Sequence, residues 1–358
     1  MKILMIIKKL NQGYSGAYKM FMWVAQKLAN RGFDITVYTY MKSDITSLGD
    51  KIHWIKDELD GHNLLSQLRA LRKTVEKVNA DCCISFLLDA NLLNTLACLG
   101  IRTKSIICER NDPFRPRYYK LSLTKWIFSW ADGAIFQLPK VATYYSMIKG
   151  NTAIIPNPVT YKGGNIAIPS FKDRKNTIIT LGRIDIAQKR HDILIQAFIK
   201  FHNKYPDYEL VIYGDGLQND IDRIKFLITS LRASKFIHLK GITHNPQKVL
   251  SESKFFVLSS DFEGIPNALI EAMSIGLPCI STDCRPGGAA MLIKNKKNGI
   301  IVPPHDIEKL LEAMLYIASH PIEADEMGRQ AKWISEEFSE KIIIQKWIAY
   351  LNKFKSEL

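Results

Sequence analysis

Residues 256–281 read FVLSSDFEGIPNALIEAMSIGLPCIS, and this stretch decides the fold. It opens with an apolar run too short for a helix, breaks at the polar SSD, and turns at Gly264 and Pro266. Apolar residues then recur at helical spacing over 267–275, and a second apolar run begins at Cys279. Strand, loop, helix and strand in so short a span form a βαβ unit, whose two strands pair in parallel. Glycine permits the tight turn and proline suits the first turn of a helix, so the loop residues agree with that reading.

The same alternation continues in both directions. Downstream of residue 176, strands are expected at 177–181, 209–213, 235–239, 255–258, 279–282 and 299–302, with helices between them that include 190–204. In the first half they are expected at 2–7, 34–40, 82–87, 104–108 and 133–137, separated by helices at 17–30, 63–79, 90–99 and 117–130. Between the halves, residues 155–168 read IPNPVTYKGGNIAI, a Pro-, Gly- and Asn-rich connection. The expected fold class is α/β, with two doubly wound, Rossmann-like domains facing across a cleft. Their expected limits are 1–158 and 176–339, with a linker over 159–175. An amphipathic C-terminal helix over 340–358 is free to pack on either domain.

Composition narrows the function. A chain of 358 residues, 47% hydrophobic and 23% charged, exceeds one comfortable core and is neither disordered nor a disulfide scaffold. The opening MKILMII meets Lys8 and Lys9 at once, which suits a buried strand better than a signal peptide. No uninterrupted apolar run reaches the roughly 18 residues of a spanning helix, so a cytoplasmic protein is expected. Cys82, Cys83, Cys98, Cys108, Cys279 and Cys284 form no paired metal-ligand spacing and read as buried thiols. Net charge is +14, and residues 1–158 carry 22 Lys and Arg against 12 Asp and Glu. The first half should therefore seek an anionic partner.

Ligands of open α/β sheets lie at the carboxyl ends of the strands. In TLGRIDIAQKRHDILIQAF, Arg183 and Lys189 bracket the loop that leaves such a strand, with a helix expected to begin near Lys189 or Arg190. Two cations beside a helix N-terminus suit a diphosphate, although loop cations are also simply solvated. Glu263 and Glu271 stand eight apart, one in the loop and one within the helix. A carboxylate in the apolar context ALIEAMSIG needs a partner, either an internal cation or the hydroxyls of a sugar.

With those residues in view, the chain resembles the retaining glycosyltransferases of family 4, which have the GT-B fold. EGIPNALIEA is similar to their Glu-x7-Glu motif, Gly182, Arg183 and Lys189 to their Gly-Arg…Lys segment, and Gly214, Asp215 and Gly216 to their Gly-Asp-Gly turn. The resemblance covers essentially the whole chain and is strongest in the second half. It implies that Arg183 and Lys189 hold the donor diphosphate, that Glu271 accepts from the ribose hydroxyls, and that Glu263 holds the donor sugar. It further implies that Gly16, Gly182, Gly214, Gly264, Ile265, Pro266, Asn267 and Ala268 line the donor site. The leaving phosphate would serve as the base, with no metal and no other cofactor. Asp220 and Asp222 form the one Asp-x-Asp and read as a solvated helix face.

The implied substrates are a nucleotide sugar, with UDP the expected base, and a lipid-diphosphate-linked glycan of bacterial surface polysaccharide such as O-antigen or capsule. The transferred group would be a hexose or N-acetylhexosamine. On the acceptor side, Gly13 and Gly16 stand where relatives have a Gly-Gly pair, Lys19 follows one turn later, and Glu109 with Arg110 closes a strand. Relatives often carry a His or an acidic residue at that strand end, and this chain has Glu109 there and no His. Residues 114–130, from Phe114 to Trp130, interleave Arg115, Arg117, Lys120 and Lys125 with Tyr118, Tyr119, Trp126 and Phe128. That mixture suits an anionic membrane surface and a peripheral site on the inner face of the plasma membrane. Single-stranded nucleic acid would fit the composition too, but no nucleic-acid motif accompanies it. The rival readings are a non-hydrolysing UDP-sugar epimerase and a non-catalytic protein that binds anionic polymers.

Overall fold

A computed structural model describes residues 1–10, 16–110, 112–114, 121–160 and 169–355. The chain divides into two units, one of Met1–Asn157 with Lys341–Leu358 and one of Pro158–Glu340. The first holds β1 (Lys2–Ile7), β2 (Asp34–Thr39), β3 (Ile52–Lys56), β4 (Cys82–Phe86), β5 (Lys104–Glu109), β6 (Gly133–Phe136) and β7 (Asn151–Ile154). They form one parallel sheet in the order β3-β2-β1-β4-β5-β6-β7. Side chains alternate along β1, and each face takes its own helices. Ile3, Met5 and Ile7 pack with Phe21 and Val24 of helix Gly16–Ala29 and with Trp347, Leu351 and Phe354 of helix Glu340–Lys355. Leu4 and Ile6 face the opposite layer, with Leu71 and Val75 of helix Leu64–Val78 and Leu93 of helix Leu88–Ala97. The C-terminal helix thus belongs to the first unit, where Tyr350 Oη donates to Asn151 O at 2.8 Å.

The second unit restarts the pattern with β8 (Lys175–Leu181), β9 (Glu209–Tyr213), β10 (Ile237–Leu239), β11 (Ser253–Leu258), β12 (Cys279–Thr282) and β13 (Ile300–Val302). These are also parallel, in the order β10-β9-β8-β11-β12-β13. The chain runs outward from β8 through β9 to β10, then returns to lay β11 on the other side of β8. That reversal makes the carboxyl ends of β8 and β11 the topological switch point of the sheet. Helix His191–His202 covers one face with Leu194, Phe198 and Phe201 against Ile178, Leu210 and Phe255.

Several expectations need correction. Phe171, placed in the linker, is buried in the second unit, where its N–H donates to Asp325 Oδ1 at 3.0 Å. Residues 161–168 of that connection lie outside the described residues. β3 and β7 are additional strands, both at sheet edges with one neighbour each. Of the helix expected over 117–130, Leu121–Phe128 is helical, and 115–120 lie outside the described residues. All six cysteines are buried and free.

Candidate active site

Two loops leave the switch point side by side, Gly182–Lys189 after β8 and Ser259–Pro266 after β11. The first contains a helical turn, Ile186–Lys189, capped by Asp185, whose Oδ1 accepts from Gln188 N at 3.0 Å. Arg190 then adopts a left-handed conformation (φ 49°), and the long helix starts at His191. Lys189 thus closes a short helix and is followed at once by the start of the long one, whose N-cap is Arg190, close to where the sequence places a helix N-terminus. The loops are braced to each other. Gln188 Nε2 donates to Phe262 O at 3.1 Å, Asp261 N to Gln188 O at 2.8 Å, and Ser259 Oγ to Lys189 O at 2.8 Å.

This bracing sets one side chain of each loop against the other. Lys189 Nζ donates to Glu263 Oε1 at 2.5 Å, and Ser260 Oγ donates to the same oxygen at 2.8 Å. Their side chains are 15% and 10% exposed. The expected diphosphate ligand and the expected sugar ligand thus form one sequestered pair. An ammonium has three N–H donors, so a bond to Glu263 leaves capacity for oxygens of a bound anion. Arg183 stands outside this pair at 62% exposure, its Nη2 held by Asp185 Oδ2 at 3.0 Å and Gln188 Oε1 at 3.1 Å.

Glycines allow the backbones to close around the pair. A Cβ on Gly214 would lie 1.7 Å from Gly182 O, and one on Gly216 would lie 2.1 Å from Ile184 O. The Gly-Asp-Gly turn after β9 therefore seats directly on the Arg183 loop. A Cβ on Gly288 would lie 1.7 Å from Gly264 O, so a glycine after β12 supports the other loop in the same way. Glu263 N donates to Arg285 O at 2.8 Å and completes that support. Ile265 and Pro266 are buried, and Asn267 and Ala268 open helix Asn267–Ser274 half-buried. Glu271 is half-buried on that helix between buried Ile270 and Ala272.

A neighbouring network did not emerge from sequence reasoning. Arg190 pairs through Nε and Nη2 with both oxygens of Asp192 at 3.0 Å, and through Nη1 with Asp261 Oδ2 at 3.1 Å. Hydrogen bonds to Asp192 and then Asp261 hold the guanidinium pKa above its ordinary range. Arg190 Nη1 also lies 2.5 Å from His305 Nδ1. A guanidinium only donates, so that ring nitrogen accepts, and the N–H at Nε2 faces Asp261 Oδ1 at 3.2 Å. Burial, with Lys189 adding to it, pushes the neighbouring His191 down to about 4.

In the first unit Gly16 begins a helix, Lys19 is exposed one turn later, and Gly13 lies outside the described residues. Glu109 is the last residue of β5 and is buried; its Oε1 accepts from Arg110 N at 2.9 Å and its Oε2 from Asn91 Nδ2 at 3.4 Å. Arg110 is buried as well. Trp126 and Trp130 are both exposed and meet edge to face at 4.2 Å, whereas Phe128 is buried. No helix among the described residues is long and apolar enough to cross a membrane.

Comparison with known proteins bears on the family and the fold. The family model described as "Glycosyl transferases group 1" matches residues 165–333, which include Arg183, Lys189, Glu263 and Glu271. An uncharacterized glycosyltransferase of Methanocaldococcus jannaschii is 31% identical over 287 residues, covering 67% of this chain and 68% of that one. The GalNAc-alpha-(1->4)-GalNAc-alpha-(1->3)-diNAcBac-PP-undecaprenol alpha-1,4-N-acetyl-D-galactosaminyltransferase of Campylobacter jejuni is 23% identical over 374 residues and 99% of each chain. Among solved structures, HepE of Anabaena in complex with UDP superposes with a TM-score of 0.80 at 16% identity, over 99% of this chain and all of that one. The fold is GT-B.

Proposed function

We propose that this chain, which belongs to the group 1 glycosyl transferases, moves a hexose or N-acetylhexosamine from a UDP-sugar to a lipid-diphosphate-linked oligosaccharide. The observation that carries the proposal is the Lys189–Glu263 pair at the β8/β11 switch point, with Arg183 beside it and Glu271 on the next helix. Arg183 and Lys189 bind the diphosphate and stabilise the charge that builds as it leaves. Glu263 takes hydroxyls of the donor sugar, and Glu271 takes those of the ribose. The bond from the anomeric carbon to the diphosphate breaks and a bond to the acceptor oxygen forms on the same face. The acceptor proton passes to the departing phosphate oxygen, so configuration is retained and no protein nucleophile is required. Cationic side chains take the place of a divalent metal at the diphosphate. Glu109 serves the acceptor within the first unit.

The acceptor class is supported by the Campylobacter relative, whose name specifies an undecaprenyl diphosphate glycan. Peripheral binding to the cytoplasmic face is supported by the exposed Trp126, Trp130 and Leu123 and by the basic composition of the sequence over 114–130. Incubation of the protein with radiolabelled UDP-sugars and polyprenyl-diphosphate oligosaccharides tests the proposal. Label in the organic phase, unaffected by a chelator, is the expected result. Conversion of the free UDP-sugar to its epimer, with no labelled lipid, would replace this reading with the epimerase.

A further inference from the structure

Arg110 follows directly on β5, and its guanidinium lies across the carboxyl edge of the first sheet. Its central carbon stands 4.7 Å from the ring centroid of Phe86, the last residue of β4. Nη1 donates to Asn157 Oδ1 at 2.5 Å, and the same oxygen accepts from Gln137 Nε2 at 2.7 Å. Gln137 follows β6 and Asn157 lies shortly beyond β7, so the cation at the end of β5 meets Phe86 from β4 and Asn157 from beyond β7, and Gln137 from β6 fixes the Asn157 amide. The residue is 8% exposed, yet Nε and Nη2 have no hydrogen-bond partner among the described residues. Burial lowers its pKa to about 10, with Cys108 and Glu109 opposing, which leaves it charged at neutral pH.

A buried charge with two unmade hydrogen bonds is costly, and a fold keeps one where a ligand completes it. The unpaired atoms are those that donate to two oxygens side by side, the geometry by which arginine takes phosphate. Phe86 and Asn157 hold the opposite edge still. The strand ends of an open parallel sheet are also where its ligands bind. We propose that the Nε–Nη2 edge of Arg110 is a bidentate binding site for a phosphoryl group of a phosphate-ester substrate. The inference rests on the transferase reading, which supplies two sources of that chemistry: the acceptor's lipid diphosphate and the donor's nucleoside diphosphate.

The test uses the full chain, with farnesyl diphosphate and UDP as separate probes in calorimetric titrations. Arg110→Gln is expected to weaken farnesyl diphosphate by roughly tenfold to a hundredfold, and Arg110→Lys should fail to restore it because the fork is lost. Loss of UDP affinity by that factor, with farnesyl diphosphate unchanged, would keep the site and assign it to the donor. A folded Arg110→Gln protein that binds both probes as the wild type does would overturn the proposal. Should Arg110→Gln not fold, Asn157→Asp decides, since it gives the guanidinium an internal carboxylate. Its melting temperature should hold or rise while affinity for one probe falls; unchanged affinity for both would overturn the site. A wild-type protein that binds neither probe also overturns it. Arg110-dependent binding of farnesyl diphosphate without any sugar transfer would instead remove the transferase reading and leave the site.

Discussion

Replacing Lys189 with methionine keeps the stem of the side chain and takes the cation away from Glu263. The two are 2.5 Å apart and nearly sequestered, so the variant leaves a carboxylate in a low-dielectric site with, among the described residues, only Ser260 Oγ donating to it. Removing one partner of a fully buried pair costs about 3–5 kcal/mol. The residual exposure and the Ser260 bond reduce that here to about 2–3 kcal/mol. Adding Glu263→Gln removes the stranded charge, and the double variant should recover all but about 1 kcal/mol, because a neutral amide tolerates burial once it is hydrogen-bonded. Urea unfolding of the four proteins of the cycle measures this coupling directly. Energies that simply add would show that Lys189 and Glu263 do not interact in the folded protein. UDP affinity, measured on the same samples, should fall in both Lys189 variants, since stability is restored while the cation is still absent.

His191 is neutral in the fold and binds a proton on unfolding, so its contribution is complete above about pH 6.5 and is lost as pH falls toward 4. A depression from 6.5 to about 4 corresponds to roughly 3 kcal/mol of stability, and His191→Leu should flatten that part of the pH profile of unfolding. Trp347→Ala should cost the first unit about 3–5 kcal/mol, although it lies in the C-terminal helix, and an unchanged urea midpoint would detach that helix from the core. Gly214→Ala should displace the Gly182 carbonyl and lower UDP affinity more than global stability, as calorimetry beside thermal melting would show. Trp126→Ser with Trp130→Ser should reduce sedimentation with anionic liposomes by about tenfold, since each buried aromatic contributes of the order of a kcal/mol or more at the interface. Full retention would count against that helix as the membrane contact.

The central strands were legible because strands buried on both faces read as continuous apolar runs: ILMII in β1 and FFVL in β11 admit little else. β3 and β7 escaped notice because an edge strand hydrogen-bonds on one side and is half solvated; Asn151–Ile154 alternates half-buried with exposed residues. The order of elements around the switch point followed from the βα alternation, and the spacing of Glu263 and Glu271 placed one on a loop and the other on the helix after it. The course of the Arg183 loop did not follow. Arg190 takes a left-handed conformation without being glycine, because Asp192 and Asp261 hold its side chain, and no local pattern announces that break. His305 and Gly288 join the site from distant segments, so their roles depend on tertiary placement alone. For Phe171, the Pro- and Gly-rich text before it disguised a residue that anchors the second core.

The most direct test of the account is a calorimetric titration of the protein with UDP and with GDP, repeated on Glu271→Ala. The account predicts that UDP binds and that the variant loses at least about tenfold in affinity, as expected for the loss of charge-assisted hydrogen bonds from the ribose hydroxyls. Equal UDP affinity in wild type and variant, or no nucleotide binding at all, would contradict it.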